Sequence, residues 1–552
     1  MKFNLFSFKK NKKKNKTHDS HFTDIELKLR YQSPLKAMMI FCLPTIAIML
    51  TIASYGLVDK FFVQMFAAPN LLNNPYIHFL WKSMGNHGKL TISILKTYLN
   101  VAVQYDLVFF YIAISIVSLV GIGATINYSI AYGKKDYERM RQIFANALIL
   151  DFLFAFLVSF ILFFLTYPGF GSIFIHLQQG FGKQTFNPIV TYITWKFLLV
   201  FYLFLPFAFV NFLLNNLIKA QGNRFTLIIV MILSVVFNII LDILFIKYAG
   251  LITDGAMLAT GCAYLFNITL STGLILKNPD HRLRINWSSF KYSSVIFGFI
   301  MRSGSSSGVT KFANALFSMI NSIFIINLIV NKNIFIHNHI SFLQQITASL
   351  TPWLVFITNV CIGINQGARI LISYANGAKK YRRIFSLIKY SLFFQAIWIC
   401  SAVIILMIFN NFFLTVFNFD AQNAHFNYHL YVIFYIWSFP FASVTFTAII
   451  LFSSIRRSKY SVFVAFLRSV VAITILQIIG FLISNFAMKI NSNYSGLPYF
   501  ISVGSRDLLV LLPSSLILFW FYRKNKQKII DHEDKHDKYY FSCLKNKTSC
   551  NN

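Results

Sequence analysis

Acidic side chains are scarce in this sequence. Its 552 residues hold 17 Asp+Glu against 50 Lys+Arg, and charged residues of both signs make up only 12%. Soluble domains carry about 25% charged residues, so a water-facing surface wrapped around a core is excluded. Cysteine is sparse as well. Cys42, Cys262, Cys361 and Cys400 lie inside apolar stretches and Cys543 and Cys550 in a charged tail, a distribution that gives no disulfide framework. No GxxxxGK[ST] segment occurs, so ATP hydrolysis has no visible site. The short Gly121-Ile122-Gly123 lies within an apolar stretch with no strand before it, which excludes a nucleotide loop.

What the chain has instead is apolar and aromatic residues, 57% and 18% of the total. A bilayer crossing needs about 20 apolar residues in a helix. Charge-poor blocks of that length cover 37–66, 106–133, 143–166, 189–218, 225–247, 254–276, 295–330, 349–376, 385–409, 428–452, 460–487 and 499–522. The reading is an all-α, multi-pass protein of the cell membrane with twelve spans. The net charge of +33 would suggest nucleic acid in a soluble domain. Here the basic tracts sit between apolar blocks, as in loops held against an anionic leaflet, so the expected partners are membrane lipids and not nucleic acid. With the N-terminus inside, the inner segments hold 35 Lys+Arg and the outer loops, with Lys247 at a span boundary, 7. That asymmetry places both termini in the cytoplasm. The first 33 residues read as a basic cytoplasmic tail, not a signal peptide, and residues 524–552 as a second charged tail.

The chain repeats itself. Residues 121–139 and 365–383, offset by 244, share nine of nineteen positions: Gly123/Gly367, Ala124/Ala368, Ile126/Ile370, Ser129/Ser373, Ala131/Ala375, Gly133/Gly377, Lys135/Lys379, Tyr137/Tyr381 and Arg139/Arg383. Glycine followed by basic residues is common where a helix meets the cytoplasm, but that habit does not explain the Ser, Ala and Tyr matches. Six spans separate the copies. The lobes are therefore residues 34–280 and 281–523, related by an axis along the membrane normal, with the solute site between them.

A carboxylate in the middle of a span costs about 2.5–3.5 kcal/mol on insertion scales, so each one needs a reason. Asp59, Asp151, Asp242 and Asp507 lie well inside spans. At 1.5 Å per residue Asp59 is roughly 10 Å from the outer end of its span, Asp242 roughly 7–8 Å and Thr260 roughly 9 Å. Asn238 shares a helix face with Asp242, four residues on. Three spans of the first lobe thus bring two carboxylates, an amide and a hydroxyl to one level. Such a group can carry H⁺ or ligate Na⁺; the alternative is a set of satisfied polar groups that only holds helices together. Lys60 adjoins Asp59, but neighbouring side chains on a helix do not face each other. Lys196 is expected to pair with a carboxylate or to snorkel outward.

The second lobe reads differently. Its spans carry Lys311, Arg369 and Arg468, so basic groups are expected at depth there. Lys311 is near the midplane, where it can attract an anionic solute group or balance a helix terminus. The run Ser303-Gly304-Ser305-Ser306-Ser307-Gly308 permits close helix packing or a local break. No metal site is expected. His532 and His536 stand four apart but in a solvated tail, and His337 and His339 read as ordinary loop residues. No catalytic residues are expected either, because the spans lack the His- or acid-based centre that a membrane acyltransferase would need.

At these residues the sequence resembles a family. Leu43-Pro44 followed by Val58-Asp59-Lys60-Phe61-Phe62 is similar to the first helix of multidrug and toxic compound extrusion (MATE) transporters. Ala220-Gln221-Gly222-Asn223, Asn238-Ile239-Ile240-Leu241-Asp242 and Gly255-Ala256-Met257-Leu258-Ala259-Thr260 resemble that family's fourth to sixth helices. Gly363-Ile364-Asn365-Gln366-Gly367 and Ser373-Tyr374-Ala375-Asn376-Gly377-Ala378 resemble its eighth. The likeness runs in order from about residue 34 to 523. It implies a V-shaped bundle that exports organic, multidrug-type solutes by alternating access, driven by H⁺ or Na⁺, with no other cofactor. It also implies a coupling-ion site at Asp59, Asn238, Asp242 and Thr260, and a bend of the first helix at Pro44. Arg369 and Ile370 depart from the family pattern, where a polar residue and a proline are usual. Lys311, Arg369 and Gln366 are therefore carried as candidate cavity residues. A flippase for a lipid-linked or anionic solute, in a related fold, stands as the alternative. The solute is a small or lipid-like molecule, and the transporter is expected to work as a monomer.

Overall fold

The computed structural model describes residues 32–85, 88–168, 175–176, 179, 187–221, 224–276, 292–330, 342–378, 380–417, 419, 427–490 and 496–531. The greater part of both tails, Lys183, Gly222, Asn223, Asp280, Lys332, His337, His339, Asp420, His532 and His536 lie outside the described residues.

Lipid offers the backbone no hydrogen bonds, so a chain this apolar must satisfy its own N–H and C=O groups within helices. Twelve helices among the described residues are long and apolar enough to span: Pro34–Leu72, Ile92–Gly133, Tyr137–Thr166, Pro188–Gln221, Phe225–Tyr248, Thr253–Leu276, Ser294–Ile325, Leu343–Gly377, Tyr381–Ile408, Tyr428–Ser454, Ser458–Phe486 and Leu497–Lys524. No strand occurs among those residues. Helix starts follow local chemistry. Pro34 opens the first span, where its missing N–H is harmless. Asp136 caps the third by accepting from the Arg139 N–H at 3.1 Å. Below, the "basic end" of the bundle is the end where Lys134–Asp136, Ala378–Lys380 and Ile455–Arg457 join consecutive spans. The opposite side is the far end.

The two halves interlock in a symmetric way. The second span packs on the seventh and the eighth on the first. Glycines make this approach close: a methyl at Gly123 would collide with the Ile300 carbonyl oxygen, and one at Gly304 with that of Leu119. The counterpart contact sets Gly367 against Phe41 and Cys42. Gly133 and Gly377, repeat partners in sequence, touch each other directly, as expected of residues beside a twofold pseudo-axis. The Tyr132 and Tyr374 rings meet at 6.0 Å beside them. The basic end is therefore closed by packing between the halves.

The far end is closed too, by polar groups. The Lys60 ammonium donates to Ala348 O at 2.9 Å, Asn100 donates to Ser349 Oγ at 3.2 Å and Phe417 O at 3.3 Å, and Gln344 donates to the Tyr105 hydroxyl at 2.8 Å. The two arms of the bundle touch at both ends.

The stretch 67–104, which lies between the first two apolar blocks of the sequence, is mostly helical. The first span runs on to Leu72, a short helix covers Pro75–Ser83, and the second span begins at Ile92. Val63, Leu71, Ile77, Trp81, Leu95 and Ile193 are buried together in an apolar cluster. This roofs the far end of the first half.

Candidate coupling-ion site

The residues placed at one depth by sequence do meet. The Thr260 hydroxyl donates to Asp59 Oδ2 at 2.9 Å. Asn238 Nδ2 reaches Thr260 Oγ at 3.5 Å, the limit of a hydrogen bond. Asp242 lies close enough to Asp59 for the two carboxyl groups to interact electrostatically. Asn238 and Asp242 are fully buried, Thr260 is 8% exposed and Asp59 half-buried. After these contacts, Asp59 Oδ1, Asn238 Oδ1 and both oxygens of Asp242 have no hydrogen-bond partner. Buried acceptors are normally satisfied, and exceptions ask for a cause. A set of four convergent oxygens, all acceptors unless a proton is added, has the donor chemistry for one small cation, H⁺ or Na⁺.

Local helix geometry sets these groups. Asp242 directly precedes a π-helical turn at Ile243–Tyr248, and Asp59 stands four residues before another at Val63–Ala67. Such turns recur at functional sites because they re-aim side chains. Asn70 fastens the roof here, donating to Ile246 O at 2.7 Å and Leu251 O at 2.9 Å. Tyr264 stands one turn beyond Thr260 on the sixth span, on the same helix face. It was not singled out from sequence, although the i, i+4 spacing from Thr260 is its signal.

Pro44 is buried inside the first span. Its neighbour Thr45 donates to Gly363 O of the eighth span at 2.8 Å. Any bend at Pro44 must therefore be felt by the other half. Lys60 and Asp59 do diverge: the lysine points to Ala348 and lies 4.6 Å from the Phe417 ring centre. Lys196 pairs with Asp254 at 3.4 Å.

The three candidate cavity residues are only partly brought together. Gln366 and Arg369 lie one turn apart on the eighth span, both buried. Gln366 Oε1 accepts from the Lys219 ammonium at 2.7 Å, which joins the fourth span to the eighth. Arg369 Nε has no partner. Lys311 is half-buried, and no hydrogen bond joins it to either residue among those described. Lys219 carried no signal in sequence beyond its place at the end of a span. Nearby, Arg456 donates to Asn127 Oδ1 at 2.6 Å, linking the halves again.

Three further carboxylates are buried, and one of them, Asp106, differs from its sequence reading. Asp507 is gripped by Arg468 at 2.7 Å and Arg506 at 3.0 Å, so the second half does carry a buried acid, but a neutralised one. Asp106, placed at a span end, lies fourteen residues into the second helix and is 3% exposed. Asp151 is fully buried in the third span. Neither Asp106 nor Asp151 has a hydrogen-bond partner for either oxygen.

A sequence model of the family MatE matches residues 101–244 and 343–479. No curated protein sequence matches the chain. Solved structures match over nearly the whole length. An outward-facing multidrug resistance MATE family transporter of the MOP superfamily is 16% identical, with a TM-score of 0.67 over 92% of this chain and 99% of its own. A MATE protein in complex with MaL6 is 14% identical, with a TM-score of 0.67 over 91% and 100%. A MOP superfamily transporter from Pyrococcus furiosus, described as having a binding pocket of reverse polarity that suggests a different function, is 14% identical, with a TM-score of 0.68 over 89% and 97%. At these identities the likeness carries the fold alone.

Proposed function

The chain belongs to the MatE family of membrane transporters, and from that premise we propose that it is a secondary active exporter. It moves organic solutes across the cell membrane, as a monomer with both termini in the cytoplasm, in exchange for H⁺ or Na⁺. The observation that carries this reading is the meeting of Asp59, Asn238, Asp242 and Thr260, which leaves four buried oxygens without donors.

The physical logic runs through the first span. Two carboxylates this close repel when both are ionised, and a cation between them removes the repulsion. The first span bears Asp59 and also packs on the eighth span of the other half, through Thr45 and Lys60. A change in the spacing of Asp59 and Asp242 is therefore passed to the contact between the halves, where the solute path lies. Pro44, unable to donate a backbone hydrogen bond, is the weakest point at which that span can bend.

The test is transport by purified protein in proteoliposomes, with pH and Na⁺ gradients imposed separately against cationic dyes. Asp59→Asn and Asp242→Asn proteins that still drive uphill export would sink the proposal.

One observation favours a second reading. The contact zone between the halves presents Lys60, Lys219, Arg369 and Arg456, while the only acid in the spans of the second half is already neutralised. Such a zone suits an anionic or lipid-linked solute. Anionic substrates in the same proteoliposomes decide between the two: competition by them, and none by cationic dyes, selects the flippase.

A further inference from the structure

Away from the coupling site, a cavity of about 480 Å³ lies between the seventh and eleventh spans near the basic end. Its walls are Arg302, Ser305, Ser458, Lys459, Val462, Phe463 and Phe466. The residues divide by chemistry. Arg302 and Lys459, one from each helix, are exposed cations. Between them stand two hydroxyls. Ser305 Oγ donates to the Arg302 carbonyl at 2.9 Å, so its proton is already engaged and the charge of the lining comes from the two cations. Ser458 is only 4% exposed, yet its Oγ has no hydrogen-bond partner. Ser458 and Lys459 also form the first turn of the helix Ser458–Phe466, whose free N–H groups and dipole favour a negative charge. No carboxylate lines the cavity to offset its two cations.

Along the eleventh span the wall then turns apolar. Val462, Phe463 and Phe466 follow the basic turn at helical spacing, and Phe463 and Phe466 are 54% and 47% exposed on a lipid-facing surface. A free inorganic anion would use the first part of this cavity and leave the second bare. A phospholipid uses both, with its phosphate at Arg302 and Lys459, beside the first turn of Ser458–Phe466, and its acyl chain along Val462, Phe463 and Phe466. We propose that the cleft between Ser294–Ile325 and Ser458–Phe486 is a binding site for one anionic phospholipid. The site uses none of the residues of the candidate coupling-ion site.

The seating has a consequence for the protein. The seventh span is packed on the second, in the other half, while the eleventh is packed on the seventh. A lipid held between them stiffens the wall on which the two halves meet.

Native mass spectrometry of the full chain in detergent tests this. The protein is titrated with phosphatidylglycerol, with phosphatidylcholine of the same acyl chains, and with phosphatidylglycerol in the presence of millimolar inorganic phosphate. We expect one phosphatidylglycerol to be retained, and phosphatidylcholine to be held far more weakly. An Arg302→Gln/Lys459→Gln protein should bind phosphatidylglycerol about tenfold or more weakly, on the scale of what one basic residue each contributes at an anionic surface. The charge-preserving Arg302→Lys/Lys459→Arg protein should bind as the parent does, which separates loss of charge from loss of fold. Equal retention by the Gln/Gln protein, equal binding of the zwitterionic lipid, or displacement by inorganic phosphate would each overturn the proposal, the last by assigning the cleft to a free anion.

Discussion

The ammonium of Lys60 and the carbonyl oxygen of Ala348 meet at 2.9 Å across the boundary between the halves, one residue after the carboxylate that receives the Thr260 hydroxyl. The first span thus bears the candidate coupling carboxylate and, at the next residue, a contact of the far-end closure. Lys60 is 3% exposed, and among the described residues its hydrogen bond to Ala348 and the face of Phe417 help to offset its burial.

Lys60→Met should loosen the far end. A hydrogen bond involving a charged group contributes about 1.5–3 kcal/mol, enough to shift the balance between closed and open far ends markedly. Spin labels on the far-end turns of the two halves should report longer distances in Lys60→Met than in the parent protein. Unchanged distances would mean that Asn100 and Gln344 hold the closure without it.

Removing the Thr260 hydroxyl should weaken the coupling site without emptying it. Thr260→Val keeps the shape but withdraws the donor to Asp59, leaving a buried carboxylate oxygen without a partner, a loss of about 1–3 kcal/mol. The gradient needed for half-maximal export should rise, while Asp59→Asn and Asp242→Asn should end uphill export entirely. A Thr260→Val protein that is indistinguishable from the parent across the gradient series would place ion binding elsewhere.

Gly304→Ala should impair both packing and transport. The added methyl meets the Leu119 carbonyl oxygen, a backbone atom that cannot rotate away. Overpacking of this kind costs about 1–3 kcal/mol, and here the strain falls on the crossing between the halves. Thermal unfolding in detergent should move down relative to the parent. Gly298→Ala on the same helix, with open space around it, is the matched control and should be silent.

The Arg468–Asp507 pair should be a matter of stability. Removing one partner of a buried ion pair costs about 3–5 kcal/mol because the other charge is left alone. Arg468→Met should therefore lower the unfolding midpoint more than the joint replacement Arg468→Met/Asp507→Leu. The reverse order would indicate that Arg506 alone suffices to hold Asp507.

These elements also show what the sequence could and could not reveal. Twelve spans were legible because bilayer thickness leaves so little freedom in composition and length. The coupling group was legible because the depth of a residue in a span is nearly a coordinate, and Asn238 and Asp242 share a helix face. Asp106 was misplaced because the extra turns of the second helix carry Lys96, Asn100 and Gln104, polar enough to read as loop. Their spacing of four residues was the overlooked sign of a helix with a polar face. Lys219 with Gln366, and Arg468 with Asp507, join spans distant in the chain, and periodicity within a span says nothing about its partner across the bundle.

The π-helical turns at Val63–Ala67 and Ile243–Tyr248 have a geometric consequence for the carboxylates beside them. Each turn stores one surplus residue relative to the α-helix around it. Drawing that residue back into α-helical form advances one side of the helix by a single register step, which is a swing of about 100° and a slide of about 1.5 Å. Asp59 and Asp242 can thereby be rolled toward or away from each other while the roof above them, pinned by Asn70, stays where it is.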